Sequence, residues 1–164
     1  VGSEEGTVAT GRLELEYPLR PARAEDAPSV AACVTAAYRH YVARIGMPPA
    51  PMTEDYERVI RDFQVTVAEH GGDIVAVLVL ALADEGFLLE NVAVVPEHQG
   101  KGLGKRLLEL AEQEARRQGF DSIYLYTNEL MTEDQEIYRR RGYVEYARRT
   151  ESGLHRVYMR KQLG

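Results

Sequence analysis

Val92-Ala93-Val94-Val95-Pro96-Glu97-His98-Gln99-Gly100-Lys101-Gly102-Leu103-Gly104-Lys105-Arg106 compresses a strand, a glycine-rich turn and the first turn of a helix into one stretch. Upstream, Phe87 to Val95 is an apolar run rich in valine and leucine; downstream, Leu103, Leu107, Leu110 and Ala111 recur at i, i+4, i+7 and i+8, the period of a helix with one buried face. Each helical glycine costs about 1 kcal/mol relative to alanine, so Gly100, Gly102 and Gly104 weaken this helix start by about 2 to 3 kcal/mol. Close approach of an anion accounts for them. Glycine keeps side chains out of the way, and the free N–H groups and positive dipole end of a helix N-terminus point at negative charge. Lys101, Lys105 and Arg106 add cations.

Spacing limits which anion is meant. Gly100-Lys101-Gly102-Leu103-Gly104 is not G-x-G-x-x-G, and Gly100-Lys101 is followed by glycine rather than Ser or Thr, which removes the dinucleotide fingerprint and the Walker loop.

Working outward, Leu13 to Tyr17 alternates apolar and charged residues, which predicts a first edge strand continuing to about Arg20. Residues 1–11, rich in glycine and glutamate, read as a flexible tail, leaving 12–164 as one domain. Asp26 and Ser29 open a helix with Val30, Val34, Ala37, Tyr38 and Tyr41 on its inner face, ending near Ile45. Gly46 to Met52 holds three of the seven prolines and reads as a stiff, non-helical connector. Thr53 is expected to cap a second helix with Tyr56, Val59, Ile60 and Phe63 inward; together with the connector it forms either one wall of a substrate pocket or a plain cover for a sheet. Three antiparallel strands follow, turning at His70-Gly71-Gly72-Asp73 and Asp84-Glu85-Gly86. After the glycine-loop helix, which Gly119 stops, come a strand at Asp121 to Thr127 and a helix opened by a Thr132-x-x-Gln135 capping box and ended by Gly142. A last hairpin turns at Ser152-Gly153. The expected class is α/β (α+β), a mixed central sheet flanked by helices in the order β α α β β β α β α β β.

Composition restricts function. A length of 164 residues with 45% hydrophobic and 28% charged side chains suits one globular domain. A net charge of −6 argues against general affinity for nucleic acid or anionic membrane. The single Cys33 excludes an internal disulfide and reads as packing rather than a nucleophile, and His40, His70, His98 and His155 lack ligand spacing, so no metal is expected. No transmembrane run or leader is evident, so a cytoplasmic location is expected.

Gln99-Gly100-Lys101-Gly102-Leu103-Gly104 after a Val-Ala-Val strand resembles the Q/R-x-x-G-x-G/A signature of the GCN5-related N-acetyltransferases, the GNAT superfamily. Leu19-Arg20-Pro21-Ala22 followed by Glu25-Asp26-Ala27 resembles the family's opening, and Ile137-Tyr138-Arg139-Arg140-Arg141-Gly142-Tyr143 is similar to its later "LYxxxGF" element. The resemblance covers the chain from about Glu14 and implies acetyl-CoA as co-substrate. It implies that Gln99, Gly100, Lys101, Gly102, Leu103, Gly104 and Lys105 take the pyrophosphate, that the backbone of Val92, Ala93 and Val94 pairs with the pantetheine arm as an added strand, and that Tyr138 protonates the leaving thiolate. Two positions depart from the commonest family pattern. Seven and four residues before the tyrosine, where Asn and Ala are usual, stand Met131 and Asp134; Asn128 is the nearest replacement for the asparagine.

An ammonium has no lone pair, so an amine acceptor needs a general base or a water chain. Glu90, just before the Val-Ala-Val segment, is the first candidate, with Glu85 or a relayed water as alternatives; strand alternation puts Asn91 on the opposite face from Glu90. Arg139, Arg140 and Arg141, with Arg148 and Arg149, suit either a helix C-terminus or a grip on the cofactor's 3′-phosphate or a nucleic acid. Tyr38, Tyr41 and Tyr56 suit either core packing or an acceptor pocket. The expected function is transfer of acetyl to a primary amine, a small molecule or amino-acid-like acceptor; protein N-terminal or lysine acetylation and a non-catalytic CoA sensor are the alternatives. The open edge at the C-terminal hairpin suits a homodimer.

Overall fold

The computed structural model describes residues 11–164. In chain order these form a helical segment at 11–16 (α1), β1 (Leu19–Pro21), α2 (Ala27–Tyr38), α3 (Val42–Ile45) and α4 (Tyr56–Asp62). There follow β2 (Gln64–His70), β3 (Asp73–Ala83), β4 (Gly86–Val94), α5 (Leu103–Arg117), β5 (Ser122–Asn128), α6 (Thr132–Arg140), β6 (Val144–Glu151) and β7 (Leu154–Gln162).

The apolar run of β3 explains the layering. Its side chains alternate between two hydrophobic clusters: Ala76, Leu78 and Leu80 pack with Leu103, Leu107, Ala111 and Ala115 of α5, whereas Val77 and Val79 pack with Val30 and Val34 of α2 and Tyr56 and Val59 of α4. A strand buried on both faces needs no polar alternation, and helices cover both sides. The sheet order is β1-β2-β3-β4-β5-β7-β6, antiparallel at every pair except β4 with β5.

That parallel pair is minimal. Leu88 opposite Tyr124 is the only β4–β5 register position among the described residues, so the two strands part beyond it. On its other edge β4 carries a bulge: Leu80 faces Leu89 and Val79 faces Asn91, leaving Glu90 as the extra residue. Bulges bend a strand and raise its twist, which favours the separation.

Local expectations fail where short-range chemistry competes. The predicted strand from Leu13 is helical over 11–16, because Leu13 and Tyr17 lie at i and i+4; the Tyr17 N–H donates to the Leu13 carbonyl at 2.8 Å, Tyr17 is buried and Leu15 is exposed. The predicted tail, apart from helical Gly11, lies outside the described residues. The first long helix stops at Tyr38, continues as a 3₁₀ turn (Arg39–Tyr41) and α3, and ends at Gly46 with φ 84°. The proline connector contains a 3₁₀ turn, Ala50–Thr53, and includes Thr53 itself. Asp55 caps α4 instead, accepting from the N–H groups of Glu57 and Arg58. No capping box opens α6: Thr132 lies within the helix, and the buried Gln135 amide donates to the carbonyls of Asn128 and Glu129, tying down the β5–α6 loop. The predicted inner face of α2 is buried throughout. No helix among the described residues is long and apolar enough to cross a membrane.

Candidate active site

Where β4 and β5 part, a cavity opens between them. It is walled by α2, by the proline connector from Met47 to Pro51, by α4 and by α6, with Leu154 and Arg156 of β7 at its side. Tyr38, Tyr56, Glu90, Asn91, Asp134 and Tyr138 all line it. The bulge brings Glu90 and Asn91 to the same cavity, contrary to the alternation expected of a regular strand, because a bulge breaks the two-residue period.

Asn91 is buried and organises one wall. Its Oδ1 accepts from the Tyr38 hydroxyl at 2.7 Å, its amide donates to the Tyr56 hydroxyl at 3.4 Å, and the Tyr38 hydroxyl also reaches the Val92 carbonyl at 3.1 Å. Tyr38 and Tyr56 are therefore pocket residues with satisfied hydroxyls, whereas Tyr41 sits behind the wall and donates to Asp134 Oδ1 at 3.2 Å.

Tyr138 is 8% exposed, its ring set edge-on to Tyr143 at 5.8 Å, and its hydroxyl has no hydrogen-bond partner among the described residues. Burial, reinforced by the nearby Asp134 charge, holds its phenol well above the usual value, so it is protonated at neutral pH. Glu90 is half-buried; desolvation, then the Glu54 charge, raise its carboxyl. Glu85 lies elsewhere, bound to Arg149 at 2.8 Å and to the Tyr146 hydroxyl at 3.1 Å at the β3–β4 turn. Asn128 lines the cavity at the end of β5, its Oδ1 accepting from the Leu130 N–H at 2.9 Å.

The glycine loop joins the far end of β4 to α5. Gln99 folds it back, its amide donating to the Val94 carbonyl at 2.9 Å. Gly100 and Gly102 have φ of 75° and 87°, a region side chains resist, and Leu103 is buried and anchors the helix. Gly104 is different. It is helical, and an added Cβ would meet only Val94 Cγ2 at an ordinary 3.9 Å, so neither backbone nor packing demands glycine there. The N–H groups of Gly100 through Lys105 donate to no carbonyl or side chain among the described residues. Lys101 and Lys105 are exposed beside them, but Arg106 turns away, donating to the Tyr17 carbonyl at 3.1 Å. The cradle fits a phosphate diester, with free donors, two lysines and room where side chains would stand.

Other candidates resolve structurally. Arg141 meets Glu112 at 2.6 Å, Arg140 meets Glu136 at 3.2 Å and Arg149 meets Glu85, so the basic run is locally neutralised. Burial pushes the Cys33 thiol up to about 12. His98 Nδ1 pairs with the Tyr17 hydroxyl at 2.8 Å, and no group of three or more potential metal ligands occurs among the described residues.

The sequence profile of the acetyltransferase (GNAT) domain matches residues 61–145, just over half of the chain, spanning the cradle, the β4–β5 gap and Tyr138. The chain belongs to the GNAT acetyltransferases. Over 86 residues it is 30% identical to a protein named IAA acetyltransferase from Azospirillum brasilense, a match covering 51% of this chain and 56% of that protein's length. Solved GNAT structures share the fold across nearly the whole chain. One from Rhodopseudomonas palustris is 21% identical, covers 90% of this chain and 96% of its own, and has a TM-score of 0.69. The putative acetyltransferase yncA of Salmonella typhimurium, solved with acetyl-CoA, is 22% identical at a TM-score of 0.67, covering 90% and 94%.

Two features of this GNAT chain were missed in its sequence. Asp134 looked like a departure from pattern, although its four-residue spacing from Tyr138 on an amphipathic helix was a usable sign that both share a face. The Asn91–Tyr38–Tyr56 network carries no spacing signal, since its members come from three separate elements.

Proposed function

We propose that this chain transfers acetyl from acetyl-CoA to a primary amine by direct attack in a ternary complex. The observation that carries this reading is the course of β4: its edge toward β5 has one register position among the described residues, Leu88 opposite Tyr124, its Glu90 and Asn91 share a cavity with Tyr138, and the glycine cradle follows its end. The N–H groups from Gly100 to Lys105, with Lys101 and Lys105, hold the pyrophosphate. Backbone at Val92, Ala93 and Val94 pairs with the pantetheine arm in place of the missing stretch of β5, and Asn128 offers its amide from the opposite lip. A free strand N–H there polarises the thioester carbonyl. Tyr138, kept protonated by burial, donates to the leaving sulfur.

An amine acceptor suits the charge of the cavity. Glu54, Glu90 and Asp134 line it against one guanidinium, Arg156, which is already held by Glu151 at 2.7 Å. The resulting negative potential attracts an ammonium, and the stiff proline connector lines one side of the cavity.

Thiol release from acetyl-CoA measured with phenethylamine, putrescine and leucine methyl ester tests this reading. Amine-dependent release with at least one is expected. Tight acetyl-CoA binding with no release for any amine would support a non-catalytic sensor instead. The cradle adds its own prediction: Gly104→Ala stabilises the fold by about 0.5 to 1 kcal/mol through helix propensity, yet weakens acetyl-CoA binding, as melting curves and a binding titration will show.

A further inference from the structure

α6 presents Asp134 and Tyr138 to the cavity one turn apart, and that spacing puts both on one helix face. The Tyr41 hydroxyl donates to Asp134 Oδ1, while Oδ2 has no protein donor among the described residues. No lysine or arginine pairs with this carboxylate there. Facing it are Tyr38 of α2, His40 and Tyr41 of the following 3₁₀ turn, and Glu133 and Tyr138 of α6; Glu54, Glu90 and Arg156 lie on the other walls of the cavity. Arg44, the nearest guanidinium on α3, is taken by Glu133 at 2.7 Å. A half-free carboxylate without a counter-ion, beside the proposed acid, is placed for proton transfer rather than for structural pairing.

We propose that Asp134 is the general base of the transfer, accepting the proton from the attacking nitrogen and returning it to Tyr138. The assignment rests on the acetyl-transfer reading. The bound ammonium first gives up one proton to solvent; the lone pair of the neutral nitrogen then forms the C–N bond and the C–S bond breaks, its electron pair passing to sulfur. Nitrogen loses one proton to Asp134 Oδ2, sulfur gains the hydroxyl proton of Tyr138, and the carboxyl then reprotonates the phenolate one turn away. Net, one proton moves from nitrogen to sulfur and both side chains end as they began. The return is downhill, because a phenol holds its proton far more tightly than a carboxyl does.

Burial raises the Asp134 carboxyl to about 6, partly offset by the Tyr41 hydrogen bond and by His40. It is thus ionised at neutral pH yet basic enough to accept. Glu90 answers to other neighbours, Glu54, Arg156 and Arg58, while the groups acting on Tyr138 are Asp134, Tyr143 and Tyr41. Glu90 is better placed to draw the cationic acceptor in than to recycle the proton.

The test compares full-length wild type, Asp134→Asn and Glu90→Gln in pH-dependent kinetics, with acetyl-CoA and the best amine of the three named above. Wild-type kcat rises with pH through about 6 as Asp134 ionises. Asp134→Asn is expected to lower kcat about 10²- to 10⁴-fold and abolish that limb, with KM for acetyl-CoA little changed. Glu90→Gln chiefly raises the amine KM and keeps the limb. An Asp134→Asn enzyme retaining kcat and limb, or a Glu90→Gln enzyme losing the limb, overturns the assignment. A carbon-13 titration of the Asp134 carboxyl in the wild type needs neither turnover nor a folded variant: a midpoint near 6 supports the role, and one in the ordinary carboxylate range refutes it. Absence of turnover with every amine would instead sink the acetyl-transfer reading, so the two failures are distinct.

Discussion

Tyr138→Phe is expected to lower kcat about 10²- to 10³-fold while leaving the dissociation constant of acetyl-CoA within about threefold. The substitution removes one oxygen and keeps the ring that packs against Tyr143. The hydroxyl lines the cavity and bonds to no protein group among the described residues, so its loss breaks no internal hydrogen bond. Stability should stay level, because the hydroxyl faces the cavity and holds no protein partner that its removal would leave unpaired. A fall in turnover at constant melting temperature therefore reports chemistry rather than folding. Without a proton donor the thiolate charge develops unneutralised in a buried site, and the expected factor is that of losing general-acid catalysis. Unchanged turnover would remove the acid role from Tyr138.

Gly102→Val should nearly abolish acetyl-CoA binding. Gly102 is the residue before α5, with φ at 87°, and a β-branched side chain is forced out of that region at a cost of about 1 to 2 kcal/mol. Relief comes from rotating the loop, and rotation re-aims the N–H groups from Gly100 to Lys105. Each hydrogen bond to a charged group is worth about 1.5 to 3 kcal/mol, so losing two weakens binding at least about 100-fold. The melting temperature should fall by only a few degrees for a domain of this size. Calorimetric titration beside a melting curve separates the two effects, and affinity within about threefold of wild type would place the pyrophosphate elsewhere.

Asp134 links stability to function in the opposite sense. Its carboxyl is raised from 3.8 to about 6 on folding. The folded state therefore holds the proton more tightly than the unfolded chain, and stability falls as pH rises across that interval. Asp134→Asn removes the penalty and should stabilise the protein at pH 8 by about 2 to 3 kcal/mol while turnover collapses.

The strand, loop and helix at 92–106 were legible because three independent local signals agreed: apolar runs, glycine spacing and a helical stripe. The place of Tyr138 on a helix lining the cavity agrees with its resemblance to a family element. The helix at 11–16 was not, since Leu13, Leu15 and Tyr17 fit strand alternation as well as the i, i+4 pair that tertiary packing selected. Thr132 and Gln135 satisfied a capping pattern, yet burial gave Gln135 to the β5–α6 loop. The bulge at Glu90 was not legible, because Glu90 and Asn91, two adjacent polar residues in an otherwise apolar run, fit regular alternation onto opposite faces as readily as a bulge, and the bulge decides which side chains share the cavity.

Direct transfer is tested by mixing the protein with acetyl-CoA labelled in the acetyl group, with and without a primary amine, and following the label after acid quench. The account predicts label in the amide product when amine is present and none on the protein in either case. Label covalently retained on the protein, or label left entirely in bound acetyl-CoA for every amine, would contradict it.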